Sequence, residues 1–193
     1  MSTTRYKKKS KEFHEAISKL FARNGYHATS IRDIATELGI NKSTLYHYIG
    51  SKEEALFNTI NSGMEYAVDT LGKIAAKDIL AEERLEEILS FYVRSFCSDP
   101  ERILLLANEF KHLDKIHQVI VIEKQKQVLK FFKSTLNELA SEKKLKDINP
   151  AVAIFAFIGM AHHTVNWFKM DGDVGLDELA ADFVEIFTKG ILK

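Results

Sequence analysis

TSIRDIATELGINKSTLYHYIGSKEEALF, running from Thr29 to Phe57, decides how the rest of the chain is read. Ser30, or Thr29, is placed to cap a short helix whose inward residues are Ile31, Ile34, Ala35 and Leu38. Gly39 then permits the left-handed backbone of a tight turn. Ile40 fills the angle beyond the turn, and Asn41 is placed to cap a second helix that carries Leu45 inward. Helix, glycine-containing turn, helix, with the small Ala35 where the two approach, is the pattern of a helix-turn-helix. Ser51 with Glu54 three residues on forms a capping box that opens a long helix with the stripe Leu56, Ile60, Met64, Ala67, Leu71 and Ile74.

The outward side of the second helix carries Lys42, Ser43, Thr44, Tyr46, His47 and Tyr48. A cation, short hydroxyl donors and phenols suit base edges, thymine methyls and phosphate oxygens. A helix N-terminus adds backbone N–H groups that favour phosphate, and Lys52 adds a further phosphate contact. Structural roles compete at three positions. For Tyr46 the alternative is packing under the first helix and for Thr44 a capping hydroxyl, while Arg32 is equally suited to an ion pair with Asp33 or Glu37.

Helical spacing continues in both directions. Upstream, Phe13, Ala16, Ile17, Leu20 and Phe21 form one stripe that stops at Gly25. Downstream, further helices are expected over about 81–97, 101–111, 114–142, 150–169 and 176–191. Asn149 before Pro150 makes a strong helix start, and Met170 to Gly175 reads as a loop. No alternating strand pattern or internal repeat is present. The expected fold is all-α with about nine helices. A three-helix helix-turn-helix domain spans 1–52, and a helical ligand-binding and dimerisation domain spans 53–193.

Charge follows the same division. Residues 1–52 hold ten Lys and Arg against four Asp and Glu, while 53–193 hold 17 against 23, so a neutral chain carries a positive end. The run Lys7-Lys8-Lys9 with Lys11 reads either as an arm for flanking phosphates or as a solvated tail. The polar N-terminus lacks the apolar stretch of a signal peptide, and the longest apolar run, Ala151 to Ala161, is short of the ~20 residues a membrane span needs. A single cysteine, Cys97, excludes a disulfide within the chain and suits a reducing compartment, so the expected location is cytoplasmic, with no membrane partner.

Beyond residue 53 there is no phosphate loop, nucleophile elbow or HExxH, and the expectation is that the chain is not an enzyme. Val152 to Ala161 is apolar all round, so its helix is expected to pack its own core on one face and a partner on the other. The alternative is a wholly internal helix. His162, His163, Thr164, Asn166 and Trp167 then border a cavity or make core and interface hydrogen bonds. Adjacent histidines lie about 100° apart on a helix, so no metal site is expected. A base role for His162 or His163 lacks a partnered nucleophile.

The Thr29–Phe57 segment resembles the DNA-binding domain of TetR-family repressors. The likeness rests on Ile34-Ala35, Gly39, Thr44-Leu45-Tyr46-His47-Tyr48 and Ser51-Lys52-Glu53, and it covers about 45 residues from Phe13. The resemblance implies a homodimer on double-stranded operator DNA and loss of DNA affinity when a small molecule fills the C-terminal domain. It implies base contacts from Arg32, Lys42, Ser43, Thr44 and Tyr46, and phosphate contacts from Ser30, His47, Tyr48 and Lys52. The dimer it implies is a four-helix bundle built by the helices at 150–169 and 176–191.

Glu109-Phe110-Lys111-His112-Leu113 and Asn166-Trp167-Phe168 resemble more loosely the regulators of fatty-acid or sterol degradation, which implies an acyl-CoA effector and no resident cofactor. Such a ligand needs apolar walls, for which Phe91, Phe96, Phe110, Phe131, Phe155 and Trp167 are candidates. It also needs cations at the mouth, for which Arg94, Arg102 and Lys111 are candidates, with His162 and Asn166 nearby. A drug-responsive regulator of efflux, and a helical small-molecule-binding protein without specific DNA binding, are the alternatives.

Overall fold

A computed structural model describes the backbone from Thr3 to Lys193, and side chains except those of residues 3–11 and His14. The reading of Lys7, Lys8, Lys9 and Lys11 therefore lies outside the described residues. Among the described residues there are nine α-helices: α1 (Thr3–Asn24), α2 (Ile31–Glu37), α3 (Lys42–Ile49), α4 (Lys52–Ala75), α5 (Ala81–Ser98), α6 (Pro100–Glu109), α7 (Lys115–Ser141), α8 (Pro150–His163) and α9 (Leu176–Ile191). Short 3-10 turns follow α6 and α8, and one isolated antiparallel bridge joins Leu145 to Leu192. No described helix is long and apolar enough to cross a membrane.

Local chemistry fixes the early boundaries. The α1 stripe is sealed, with Phe13, Ile17, Leu20 and Phe21 all at most 5% exposed, and the chain turns at Gly25 with φ at +80°. Ser30, not Thr29, caps α2. The Asp33 amide donates to Ser30 Oγ (3.2 Å) and the Ser30 amide to Asp33 Oδ2 (2.8 Å). Donation to Asp33 Oδ2 from the Ser30 hydroxyl (2.7 Å) and then from the Ser30 amide holds the Asp33 carboxyl below its usual range. Thr29 is buried instead, donating its hydroxyl to the Gly25 carbonyl (2.8 Å). Gly39 takes φ +63°, and Asn41 Oδ1 accepts from the Thr44 amide at 2.7 Å to start α3. At α4 the Glu54 amide donates to Ser51 Oγ (3.0 Å).

The chain divides into two compact units. The first holds residues up to Glu65 together with Glu101–Ile122. Its core joins Ile17, Phe21, Ile34, Leu45, Ile49, Leu56 and Ile60 to Leu105, Leu113 and Val121 from α6 and the start of α7. A small helical unit gains stability from apolar surface added to its core. The added segment supplies that surface, a long-range contribution absent from any local pattern.

The second unit comprises Tyr66–Pro100 and Glu123–Lys193. Here Phe132, Phe157 and Phe187 are buried, as are Leu85, Leu89 and Val93 on α5, with Phe157 and Phe187 ring centroids 5.0 Å apart. Asn149 Oδ1 accepts from the Ala151 amide (2.9 Å), and Pro150 opens α8. The expected helix over 150–169 stops at His163. Thr164 folds its buried hydroxyl back onto the Ala161 carbonyl (2.6 Å), and its own carbonyl accepts from both the Trp167 and Phe168 amides. That arrangement tightens the chain into a 3-10 turn. Within this unit α8 is two-faced: Ile154 and Phe157 are buried, whereas Val152 and Phe155 are 62% and 61% exposed. Ile186 on α9 is likewise exposed.

Candidate nucleic-acid interface

Helix α3 is held from behind. Leu45 and Ile49 are buried, and the Asn41 cap fixes its first turn. The opposite side leaves Lys42, Ser43, Tyr46 and His47 exposed, with Thr44 half-buried. The phenol that packs inward is Tyr48, not Tyr46: its ring meets Phe13 edge-on at 4.8 Å, while Tyr46 is 49% exposed. After α3 the backbone turns at Gly50, whose φ of +60° strains any residue with a side chain. Ser30 and Arg32 are exposed on α2. Glu37 pairs with Arg23 at 3.5 Å, and the Asp33 carboxylate, engaged by the Ser30 cap, still lies within electrostatic reach of Arg32.

Lys52 sits differently from the others. Its ammonium donates to the His27 carbonyl (3.3 Å) and lies 4.4 Å from the Tyr26 ring centroid. Burial pulls its pKa down, opposed by the Glu109 and Asp33 carboxylates. Tyr26 and His27, to which the sequence pattern assigns no part, therefore shape this edge of the unit. Tyr26 stacks on His112 (5.7 Å, 16°), and His27 Nε2 lies 3.1 Å from His112 Nδ1. Their spacing of 85 residues leaves no local mark.

The effector candidates are divided between the units. Arg102, Phe110 and Lys111 belong to the first. There Arg102 lies along Gly63, Phe110 packs against the helix-turn-helix core, and Lys111 is exposed. In the second unit Phe91 and Arg94 share an open cleft of about 920 Å³ with Ile74, Ile79 and Val184, a size within the range of small-molecule sites. Arg94 forms an exposed ion pair with Asp177. His162 stacks on Phe96 at 4.5 Å, and its Nε2 lies 2.8 Å from the Tyr92 hydroxyl. Burial raises the Tyr92 pKa and lowers that of His162, so both groups of this contact favour their neutral forms. Asn166 donates back to the His163 carbonyl (3.3 Å). Trp167 and Phe155 are 46% and 61% exposed, and Phe131 lies near Gly72. The expected aromatic wall is thus dispersed, and only Phe91 and Arg94 of the candidates line the cleft.

Residues 14–58 match the family described as bacterial regulatory proteins, tetR family, and residues 78–191 match the tetracyclin repressor-like C-terminal domain. The chain is 22% identical to the HTH-type transcriptional repressor KstR2 of Rhodococcus jostii, covering 93% of this chain and 89% of the relative. It is also 22% identical to the fatty acid metabolism regulator protein of Bacillus subtilis, covering 92% of each. Its fold is similar to that of AibR, solved in complex with isovaleryl coenzyme A and operator DNA, with a TM-score of 0.79 and 24% identity over 92% of this chain and 96% of that one. Such proteins regulate transcription and do not catalyse reactions, which sets aside the enzyme reading of His162 and His163. Helix-turn-helix geometry, all-helical architecture and both matched segments lead to one conclusion: the chain belongs to the TetR family of bacterial regulatory proteins.

Proposed function

We propose that this chain is a cytoplasmic, ligand-responsive repressor that binds a palindromic operator as a homodimer. Residues 1–52 are assigned to DNA binding, and 53–193 to sensing and dimerisation. The observation that carries the reading is the exposed row Lys42, Ser43, Tyr46 and His47 on a helix whose other side is sealed by Leu45 and Ile49. Rigid backing lets such a row enter a major groove in one orientation. Arg32 and Thr44 complete the proposed base contacts, with Ser30, His47, Tyr48 and Lys52 toward phosphate. Tyr48 offers only its hydroxyl edge, and Lys52 must leave Tyr26 to reach DNA.

The homodimer uses the apolar faces of α8 (Val152, Phe155) and α9 (Ile186), where exposed aromatic and aliphatic groups need cover. The proposed effector is an acyl-CoA thioester. Likeness to a fatty acid regulator and to a coenzyme-A-thioester complex supports that class. A coupling of ~1–3 kcal/mol between effector and operator shifts DNA affinity about 5- to 150-fold, and by reciprocity DNA weakens effector binding equally.

A specific observation favours a second effector class. The cleft beside Phe91 is bordered by Glu83, Glu86, Glu87 and Glu185 as well as Arg94 and Lys189. Lys77 pairs with Glu87 and Lys189 with Glu185, which leaves Glu83 and Glu86 as the carboxylates to meet a hydrophobic cation such as an efflux substrate. Fluorescence anisotropy on a bound operator duplex separates the two. Acyl-CoAs of graded chain length are expected to release the DNA, while lipophilic cations leave it bound. Release by the cations alone transfers the assignment to the second class, and release by neither overturns both.

A further inference from the structure

In the first unit, away from α3, three side chains that bind metals converge at the junction of α4 and α7. Glu53 lies on the first turn of α4, Asp114 immediately before α7, and His117 on the first turn of α7. One ligand atom from each lies within 4.8 Å of the other two. The framework is already fixed by backbone bonds. The Asp114 amide donates to Glu53 Oε1 (2.8 Å), and the His117 amide donates to Asp114 Oδ1 (2.8 Å). The imidazole is held flat against the Phe57 ring, 3.9 Å between centroids and 20° between planes. Its ligand atoms therefore need little reorganisation to act together.

A capped helix beside two carboxylates explains part of this arrangement, but not the imidazole nitrogen. His117 Nδ1 is buried and makes no hydrogen bond. Asp114 Oδ2 is 3.2 Å from it but out of line with a ring N–H, and Glu53 Oε1, at 3.9 Å, is too far for a hydrogen bond. A buried, unpaired ring nitrogen is costly to keep. An oxygen displaced from the ring-nitrogen axis is poorly placed for a hydrogen bond and well placed for chelation. With metal–ligand bonds of about 2.0–2.2 Å, a nitrogen and an oxygen 3.2 Å apart subtend roughly 100° at a shared ion, between the tetrahedral and octahedral angles.

We infer that Glu53, Asp114 and His117 form a binding site for a divalent first-row transition ion. One imidazole nitrogen and two carboxylates make a three-ligand set that leaves positions for water. Imidazole selects Zn2+, Co2+ or Ni2+ over the hard ions Mg2+ and Ca2+. The ion ties the start of α4, three residues beyond the end of α3, to the start of α7. This site goes beyond the proposed function and does not depend on it.

The test uses the full-length, tag-free protein, stripped with EDTA and dialysed, then titrated with Co2+ followed by visible absorption and with Zn2+ followed by calorimetry. One equivalent per chain is expected, with ligand-field bands from bound Co2+. Glu53→Gln keeps an acceptor for the Asp114 amide and removes only charge, so the fold is retained; it is expected to weaken binding at least tenfold, as is His117→Ala. His112→Asn alters the other histidine pair of the unit and is expected to bind as wild type. Absence of stoichiometric binding by the wild type overturns the site. So does binding that survives Glu53→Gln and His117→Ala but is lost in His112→Asn, because the ion then sits between His27 and His112.

Discussion

Helices α3 and α8 have the same build and opposite chemistry. Each is anchored through one buried face, by Leu45 and Ile49 in α3 and by Ile154 and Phe157 in α8. Each leaves the other face open. On α3 the open face carries Lys42, Ser43, Tyr46 and His47, and on α8 it carries Val152, Phe155 and Gly159. Anchoring makes either face rigid enough for specific recognition, and side-chain chemistry selects the partner. A polar, cationic face suits a polyanion, and an apolar face suits a second protein surface.

Substitutions on the two faces of each helix test this parallel most severely. Leu45→Ala removes a fully buried side chain and is expected to cost about 2–5 kcal/mol in urea denaturation. Phe155→Ala touches only the open face. It is expected to leave secondary structure intact and to weaken self-association at least tenfold in analytical ultracentrifugation, the loss of more than ~1 kcal/mol typical of a central aromatic contact. If Phe155→Ala unfolds the chain as Leu45→Ala does, the two-faced description of α8 fails.

A step down in size, Asn41→Ala removes the α3 cap and is expected to cost about 1 kcal/mol, read as a lower Tm. Lys42→Ala is expected to leave the Tm unchanged and to reduce the slope of log affinity against log salt by about one unit if Lys42 meets a phosphate. Unaltered affinity at every salt concentration removes Lys42 from the interface.

The smallest effect concerns pH in the second unit. Burial holds the His162 pKa below its ordinary 6.5, so on acidification the unfolded chain takes up this proton before the folded chain does. The contribution of neutral His162 is therefore complete above about pH 6.5 and is lost as pH falls toward the depressed folded value. His162→Gln is expected to flatten the stability–pH curve between about pH 7 and pH 5, measured by urea denaturation at each pH. An identical slope in the variant contradicts the neutral Tyr92–His162 pair.

How much could be read in advance differs between the units for a physical reason. The Ser30 and Asn41 caps, the left-handed turn at Gly39 and the inward Leu45 are set by contacts within four residues, so spacing alone reveals them. The inward turn of Tyr48 depends on Phe13, 35 positions away, and spacing did not distinguish it from Tyr46. In the second unit almost every decision is long-range. Arg94 is offered by its position as a phosphate ligand, and its exposed ion pair with Asp177, 83 residues on, leaves no local mark. Trp167 is expected as a cavity wall on a continuing helix. That helix ends because Thr164 turns inward, within hydrogen-bond distance of Cys97 Sγ. Thirteen phenylalanines at helical spacing announce a core without saying which of them border a cleft.

Selection from random-sequence duplexes with the full-length chain, followed by determination of the protein-to-DNA ratio, tests the central claim most directly. Two copies of α3 on one duplex predict an enriched inverted repeat with half-sites centred about 10 base pairs, or a multiple of that, apart, occupied by chains in even number. Recovery of no common sequence after repeated rounds, with binding that depends only on salt, contradicts it and leaves a helical ligand-binding protein without sequence-specific DNA recognition.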